Sequence, residues 1–160
     1  MLLYLLRHGK AEPGHPGEPD SSRRLTEEGK QQSRRVLARA AAAGVKPQTV
    51  LVSPYIRARE TAEIALGVLG LPHAALASNT LLPDSHPETL WDEIRLHQHD
   101  PQLMLVGHNP LLSEFLALLL SAGAYAIDLK TAGLACVDVG AAGTQPRGRL
   151  VWMLTPELCG

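Results

Sequence analysis

The 160-residue chain has no excess of charge of either sign: 15 Lys and Arg stand against 16 Asp and Glu, a formal net charge of −1. A broad nucleic-acid surface needs a basic excess or stripe, so that partner class is set aside. A local arginine pocket for a small anion is not. Cysteine is scarce, with only Cys136 and Cys159 and no Cys-x-x-Cys spacing. This excludes the disulfide framework of a small secreted domain and a thiolate metal site. Cys136, within Leu134-Ala135-Cys136-Val137, is expected to be a small core residue, and Cys159 to lie on a loose chain end. Long apolar runs are missing too. Arg7 and His8 interrupt the first one too early for a signal peptide, and Glu114 breaks the region 111–127, which therefore suits a buried helix better than a membrane span. A cytoplasmic protein is expected. Seven histidines are present, but none has ligand spacing such as His-x-x-x-His, and neither Gly-x-Ser-x-Gly nor a P-loop occurs. No metal and no cofactor are expected.

There is no internal repeat and no linker, and the length suits a single domain over residues 1–160 with one good core. The apolar run Leu2-Leu3-Tyr4-Leu5-Leu6 ends abruptly in Arg7-His8-Gly9, so both polar side chains are expected at the carboxyl end of a buried strand, where open α/β sheets bind ligands. Residues 10–24, rich in Pro, Gly and charge, form a rim beside them, or a lid over them; His15 is given no catalytic part. Thr26 is an N-cap, Glu27 and Glu28 complement the helix dipole, and the helix runs to Ala43 with Gly44 as its left-handed stop. Arg34, Arg35 and Arg39 belong to its solvated face.

Thr49-Val50-Leu51-Val52 is a second strand, and residues 55–69 a second helix. Arg57 stands in its first turn, where a cation opposes the dipole, and such local inconsistencies cluster at functional sites. A short strand is expected within 74–82 and a helix from about Glu88 to His97. His73, His86, His97 and His99 are read as surface or turn residues. Leu103-Met104-Leu105-Val106 is a third apolar strand ending in Gly107-His108-Asn109-Pro110, with Asn109 as N-cap and Pro110 as first residue of a buried helix 111–121. Residues 134–139 and 148–154 form a closing hairpin. Strands alternate with helices, so the fold class is α/β with a largely parallel sheet.

Parallel strands bring Arg7, His8, Arg57 and His108 together, with no carboxylate in the inner group. That mixture suits a dianionic phosphoryl group: arginine forks match phosphate oxygens and stay charged. A neutral histidine among cations resists protonation and can attack phosphorus through nitrogen. The arginines and the second histidine then receive the equatorial oxygens.

The segments Leu6-Arg7-His8-Gly9, Arg23-Arg24-Leu25-Thr26-Glu27-Glu28-Gly29, Val52-Ser53-Pro54-Tyr55-Ile56-Arg57-Ala58-Arg59-Glu60-Thr61-Ala62 and Leu105-Val106-Gly107-His108-Asn109-Pro110 resemble, in order, the motifs of the histidine phosphatase superfamily. The compact length, the Val-Gly-His-Asn-Pro-Leu segment and Thr131-Ala132-Gly133 resemble its short bacterial phosphohistidine phosphatases of the SixA type. The resemblance implies a three-layer α/β/α sandwich and a phosphohistidine intermediate formed without a metal. It implies His8 as nucleophile, with Arg7, Arg57 and His108 on the phosphoryl group. It ranks Arg23 over Arg24 as a further substrate-binding arginine, and Asn109 adds a hydrogen bond. Larger members protonate an alkoxide leaving group with a carboxylate from an inserted segment. Here that region offers Asp84, then Glu88, as the candidate general acid, or neither. An imidazole nitrogen departs more readily than an alkoxide, so the shortage of an acid favours a phosphohistidine substrate. The expected substrate is a phosphorylated protein, such as a phosphorelay domain, or a small phosphorylated molecule; the rival from another class is a non-catalytic phosphoprotein-binding module.

Overall fold

The computed structural model describes all of residues 1–160. Its elements are β1 (Leu2–Arg7), α1 (Glu27–Ala42), β2 (Thr49–Val52), α2 (Ile56–Val68), β3 (Leu76–Ala77), α3 (Pro87–Leu96), β4 (Gln102–Gly107), α4 (Leu111–Leu119), β5 (Leu134–Asp138) and β6 (Arg149–Leu154), with short 3₁₀ turns at Asp20–Ser22, Asn79–Leu81 and Pro156–Leu158. The strands form one sheet in the order β3-β2-β4-β1-β5-β6. The first four are parallel neighbours; β5 runs antiparallel to β1, and β6 antiparallel to β5. This is the expected α/β sandwich, with the closing hairpin forming one edge. No helix is long and apolar enough to cross a membrane.

The apolar runs lie in the sheet interior because both of their faces are covered. Leu3 and Leu5 of β1, with Leu103 and Leu105 of β4, face Leu90, Trp91 and Ile94 of α3 and Leu112, Phe115 and Leu116 of α4. Tyr4, Leu6, Met104 and Val106 face the other way, onto Val36, Leu37 and Ala40 of α1 and Ala58, Ala62 and Ala65 of α2. Alternation with a period of two along each strand thus feeds two separate cores. The small residues of α2 let it lie close to the sheet, and this places Arg57 near the strand ends.

Helix ends follow local chemistry in most places. The Thr26 hydroxyl accepts the Gly29 N–H at 2.9 Å, and Gly44 has φ of 80°, as expected. Two expectations are corrected. Asn109 does not cap α4: Pro110 is the N-cap, with no side-chain cap, because the Asn109 amide is engaged elsewhere. The helix also stops at Leu119 rather than 121, where Ser121 turns to φ of 53°. Cys136 is buried as expected, but Cys159 is not loose. After the Pro156–Leu158 turn it is 6% exposed and joins the core under α1 and α2.

Candidate active site

Register sets the site. Val52 and Leu6 both lie level with Val106, so Ser53, Gly107 and Arg7 occupy the next row at the carboxyl ends of β2, β4 and β1. The Ser53 N–H donates to the Val106 carbonyl, and that of His8 to the Gly107 carbonyl. His8 and His108 follow directly, with ring centres 5.0 Å apart.

The chain beyond His8 is held by close approach. A side chain on Gly9 would put its Cβ 2.7 Å from the Gly29 carbonyl and 2.8 Å from Ser33 Oγ, and one on Gly29 would collide with the Lys10 backbone. The loop after β1 therefore lies directly on the first turn of α1. The Gly9 N–H donates to Thr61 Oγ1 on α2 at 3.1 Å, and Thr61 donates in turn to the Arg57 carbonyl at 2.8 Å.

Two contacts fix the tautomer of His8. Nδ1 lies 2.7 Å from the Gly9 carbonyl, which can only accept, so Nδ1 carries the hydrogen. Arg57 Nε–H donates to Nε2 at 3.2 Å, so Nε2 holds the lone pair. Burial, with the charges of Arg57, Arg7 and Arg23 in support, pushes the His8 pKa down to about 4, against the pull of the Gly9 carbonyl. His108 is pushed down to about 3 by its burial, His8 and Arg57. Both imidazoles are neutral at pH 7.

His108 Nε2 is 2.7 Å from Ser53 Oγ, which also accepts the Tyr55 N–H at 3.3 Å. The Tyr55 ring meets His108 edge-on and lies beneath the Arg57 guanidinium. Arg7 Nη1 donates to the Leu129 carbonyl at 2.9 Å, and Asn109 Nδ2 donates to the same carbonyl at 3.0 Å. Asn109 Oδ1 accepts from Ser113, whose own oxygen accepts the Leu129 N–H. Asn109 therefore holds the segment on which Arg7 leans. Three buried side-chain polar atoms in the chain have no hydrogen-bond partner, and two of them are Arg7 Nε and His108 Nδ1. Buried polar atoms are normally paired, and these two belong to residues at the carboxyl ends of the neighbouring strands β1 and β4.

The expectation of no inner carboxylate is wrong. Asp20, in the 3₁₀ turn of loop 10–24, reaches Arg57: its Oδ2 accepts from Nη2 at 2.9 Å and its carbonyl from Nη1 at 2.7 Å. Asp20 Oδ1 accepts from Arg23 Nη1 at 3.0 Å. Hydrogen bonds from Arg23 and Arg57 hold its carboxyl below the usual range. Arg23 thus faces the pocket, whereas Arg24 pairs with Glu60 on α2. Asp84 is exposed in the turn before α3 and makes no hydrogen bond or ion pair with these residues, and Glu88 is exposed in the first turn of α3. Sequence reasoning missed Ser53, Thr61 and Asp20. Ser53 stood inside a recognised motif, but nothing marked Asp20 among the acidic residues of its loop.

The model of the histidine phosphatase superfamily (branch 1) matches residues 3–78, from β1 through β3. Beyond it, an uncharacterized protein of Picosynechococcus sp. is 35% identical over 148 residues, 91% of this chain and 89% of that one. The phosphohistidine phosphatase SixA of Escherichia coli is 27% identical over 158 residues, 98% of this chain and 94% of its own length. The chain belongs to the histidine phosphatase superfamily. Among solved structures, the protein histidine phosphatase SixA complexed with tungstate matches with a TM-score of 0.87 and 25% identity, covering 98% of this chain and 97% of that one. Membership in the histidine phosphatase superfamily, with this SixA-like structure, supports a phosphatase.

Proposed function

We propose that the protein is a metal-independent phosphatase that removes phosphate from phosphohistidine in a protein, through a phosphoryl group carried on His8. The observation that carries this is the tautomer of neutral His8: Nδ1–H is tied to the Gly9 carbonyl, and the Nε2 lone pair faces the Arg57 edge, whose Nε–H must release it before attack. The unpartnered Arg7 Nε and His108 Nδ1, on the residues ending the neighbouring strands β1 and β4, support the same reading, because phosphoryl transfer needs oxyanion donors beside the nucleophile.

The His8 Nε2 lone pair attacks phosphorus; the substrate P–N bond breaks, and its electron pair returns to the departing ring nitrogen, which leaves as neutral imidazole because the substrate ring enters protonated on its other nitrogen. His8 Nδ1–H stays on the Gly9 carbonyl and supports the charge that the ring gains. Arg7, Arg57 and His108 take the equatorial oxygens. If Ser53 donates to His108 Nε2, the hydrogen of the neutral ring lies on Nδ1, ready to donate. Water then attacks phosphorus, the Nε2–P bond breaks toward His8, and phosphate leaves with the proton passing to solvent. Arg23 adds a cation at the mouth, and Asn109 acts by holding the Leu129 carbonyl. The imidazole leaving group asks little of an acid, which fits an exposed Asp84 that makes no hydrogen bond or ion pair with these residues. A phosphorelay domain in the cytoplasm is the substrate this reading expects.

The test is phosphate release from a phosphohistidine peptide and from a sugar phosphate, side by side, with a chelator present. Release from the peptide with little from the sugar phosphate is the expected result. Turnover of the sugar phosphate alone moves the substrate class to small molecules and makes Asp84→Asn the next variant. Release from neither, with phospholigand binding intact in His8→Ala, leaves a binding module.

A further inference from the structure

Arg57 Nε and Nη2 form one edge of the guanidinium, the fork that matches two oxygens of a phosphoryl group. In this structure that edge is divided: Nε points to His8 Nε2 at 3.2 Å and Nη2 to the Asp20 carboxylate at 2.9 Å. A phosphoryl group joined to His8 Nε2 would present its oxygens to the same edge. The second arginine reaching toward the mouth, Arg23, is held by the other oxygen of the same carboxylate. Asp20 therefore spans two cations as a bound anion does. Arg57 is almost wholly buried, whereas the Asp20 side chain is 53% exposed and stands on a three-residue turn. The arginine is the fixed partner and the carboxylate the movable one.

We propose that Asp20 is a built-in occupant of the phosphoryl seat, a latch that must leave Arg57 and Arg23 before the phosphoryl group of the substrate can reach them. This rests on the reading of His8 and Arg57 given above. The latch lowers the affinity for every phosphoryl ligand by the fraction of molecules in which it is open. Free phosphate, with only the pocket to hold it, is weakened as much as the substrate is. A protein substrate has further contacts to offset the loss. The latch therefore favours product release and disfavours inhibition by small anions.

The experiment compares inhibition by orthovanadate and by inorganic phosphate in the wild type, Asp20→Asn and Asp20→Ala, with phosphohistidine-peptide turnover as the assay. Both inhibition constants are expected to fall about fivefold in Asp20→Ala, the scale of a half-exposed ion pair, and KM to fall with them. Unchanged constants overturn the latch. Raised constants overturn it as well, because they would mean that Asp20 orients the arginines for the ligand. If the wild type neither binds these anions nor turns the peptide over, and Arg57→Ala changes nothing, the reading of the pocket fails together with the latch. If the wild type is active and inhibited but the Asp20 variants bind no tighter, only the latch fails. Should the variants not fold, hydrogen exchange on the wild type reads the same motion. Vanadate is expected to speed exchange at the Ser22 and Arg23 amides, which close the 3₁₀ turn, and slowed or unaltered exchange overturns the proposal.

Discussion

The floor and the rim of the pocket are built by different means. On the floor, His8, Arg57 and His108 are each less than a tenth exposed. Each is tied to an atom whose position the fold dictates: the Gly9 carbonyl, the first turn of α2 and Ser53 at the end of β2. On the rim, Asp20 and Arg23 are held by charge, by the Glu12 carbonyl and by a three-residue turn. The floor is rigid because sheet register and two cores fix it. The rim can exchange one anion for another because little apolar surface anchors it. Pre-organised chemistry and ligand entry thus fall to different parts of one small chain.

The sharpest way to break this comparison is at the floor. His8→Ala is expected to reduce turnover to background while the chain still folds, since the side chain is buried but belongs to neither apolar core. Single-turnover assays with the phosphohistidine peptide check it. Arg57→Ala is expected to lose about 10²-fold or more in kcat/KM, the scale of a missing oxyanion donor, and full activity there would mean that the pocket is wrongly drawn. Ser53→Ala is expected to cost about tenfold in kcat, as one orienting hydrogen bond to His108 is removed. Ser53→Thr, which keeps the hydroxyl, should recover part of that loss.

Acid sharpens the same contrast. His8 and His108 stay neutral to about pH 4 and about pH 3 in the folded protein, whereas an unfolded histidine takes its proton near pH 6.5. In the proposed mechanism neutral His8 is the working form, so its protonation should limit kcat/KM only well below pH 6.5. Stability runs the other way. As pH falls below about 6.5 the unfolded chain binds protons that the native state refuses, so stability declines toward pH 3 and then levels as the native rings protonate. Melting curves at pH 7 and pH 4.5 should show the drop, reduced in His108→Gln. The smallest effects lie away from the floor: Arg34→Ala, on the solvated face of α1, and Asp84→Asn are each expected to change peptide turnover by less than about twofold.

Much of this was legible in the sequence because it depends on period and punctuation. Apolar runs ending in polar residues gave β1, β2 and β4, and the parallel arrangement then brings Arg7, His8, Arg57 and His108 together. Thr26 and Gly44 marked the ends of α1 by rules that act within a few residues. Tertiary pairing was not legible. Glu12, Glu18 and Asp20 are chemically alike in one aperiodic loop, and only the path of the folded loop selects Asp20 for Arg57. Asn109 carries the composition of a cap, but Leu129, twenty residues on, takes the amide N–H and Ser113, one helical turn on, takes the amide oxygen. Cys159 looked like a fraying end because nothing local shows that the final turn returns to the core.

The contact between Gly9 and Gly29 has a consequence for anyone redesigning this pocket. The residue after His8 meets α1 through the Gly29 main chain and one short side chain, the Ser33 hydroxyl, with nothing long between them to shorten or exchange. The depth at which His8 stands is thus set almost entirely by backbone thickness, a dimension that substitution readily enlarges and has little room to reduce. Variation that retunes this site has to enter from the rim, where side chains still separate the loop from the arginines.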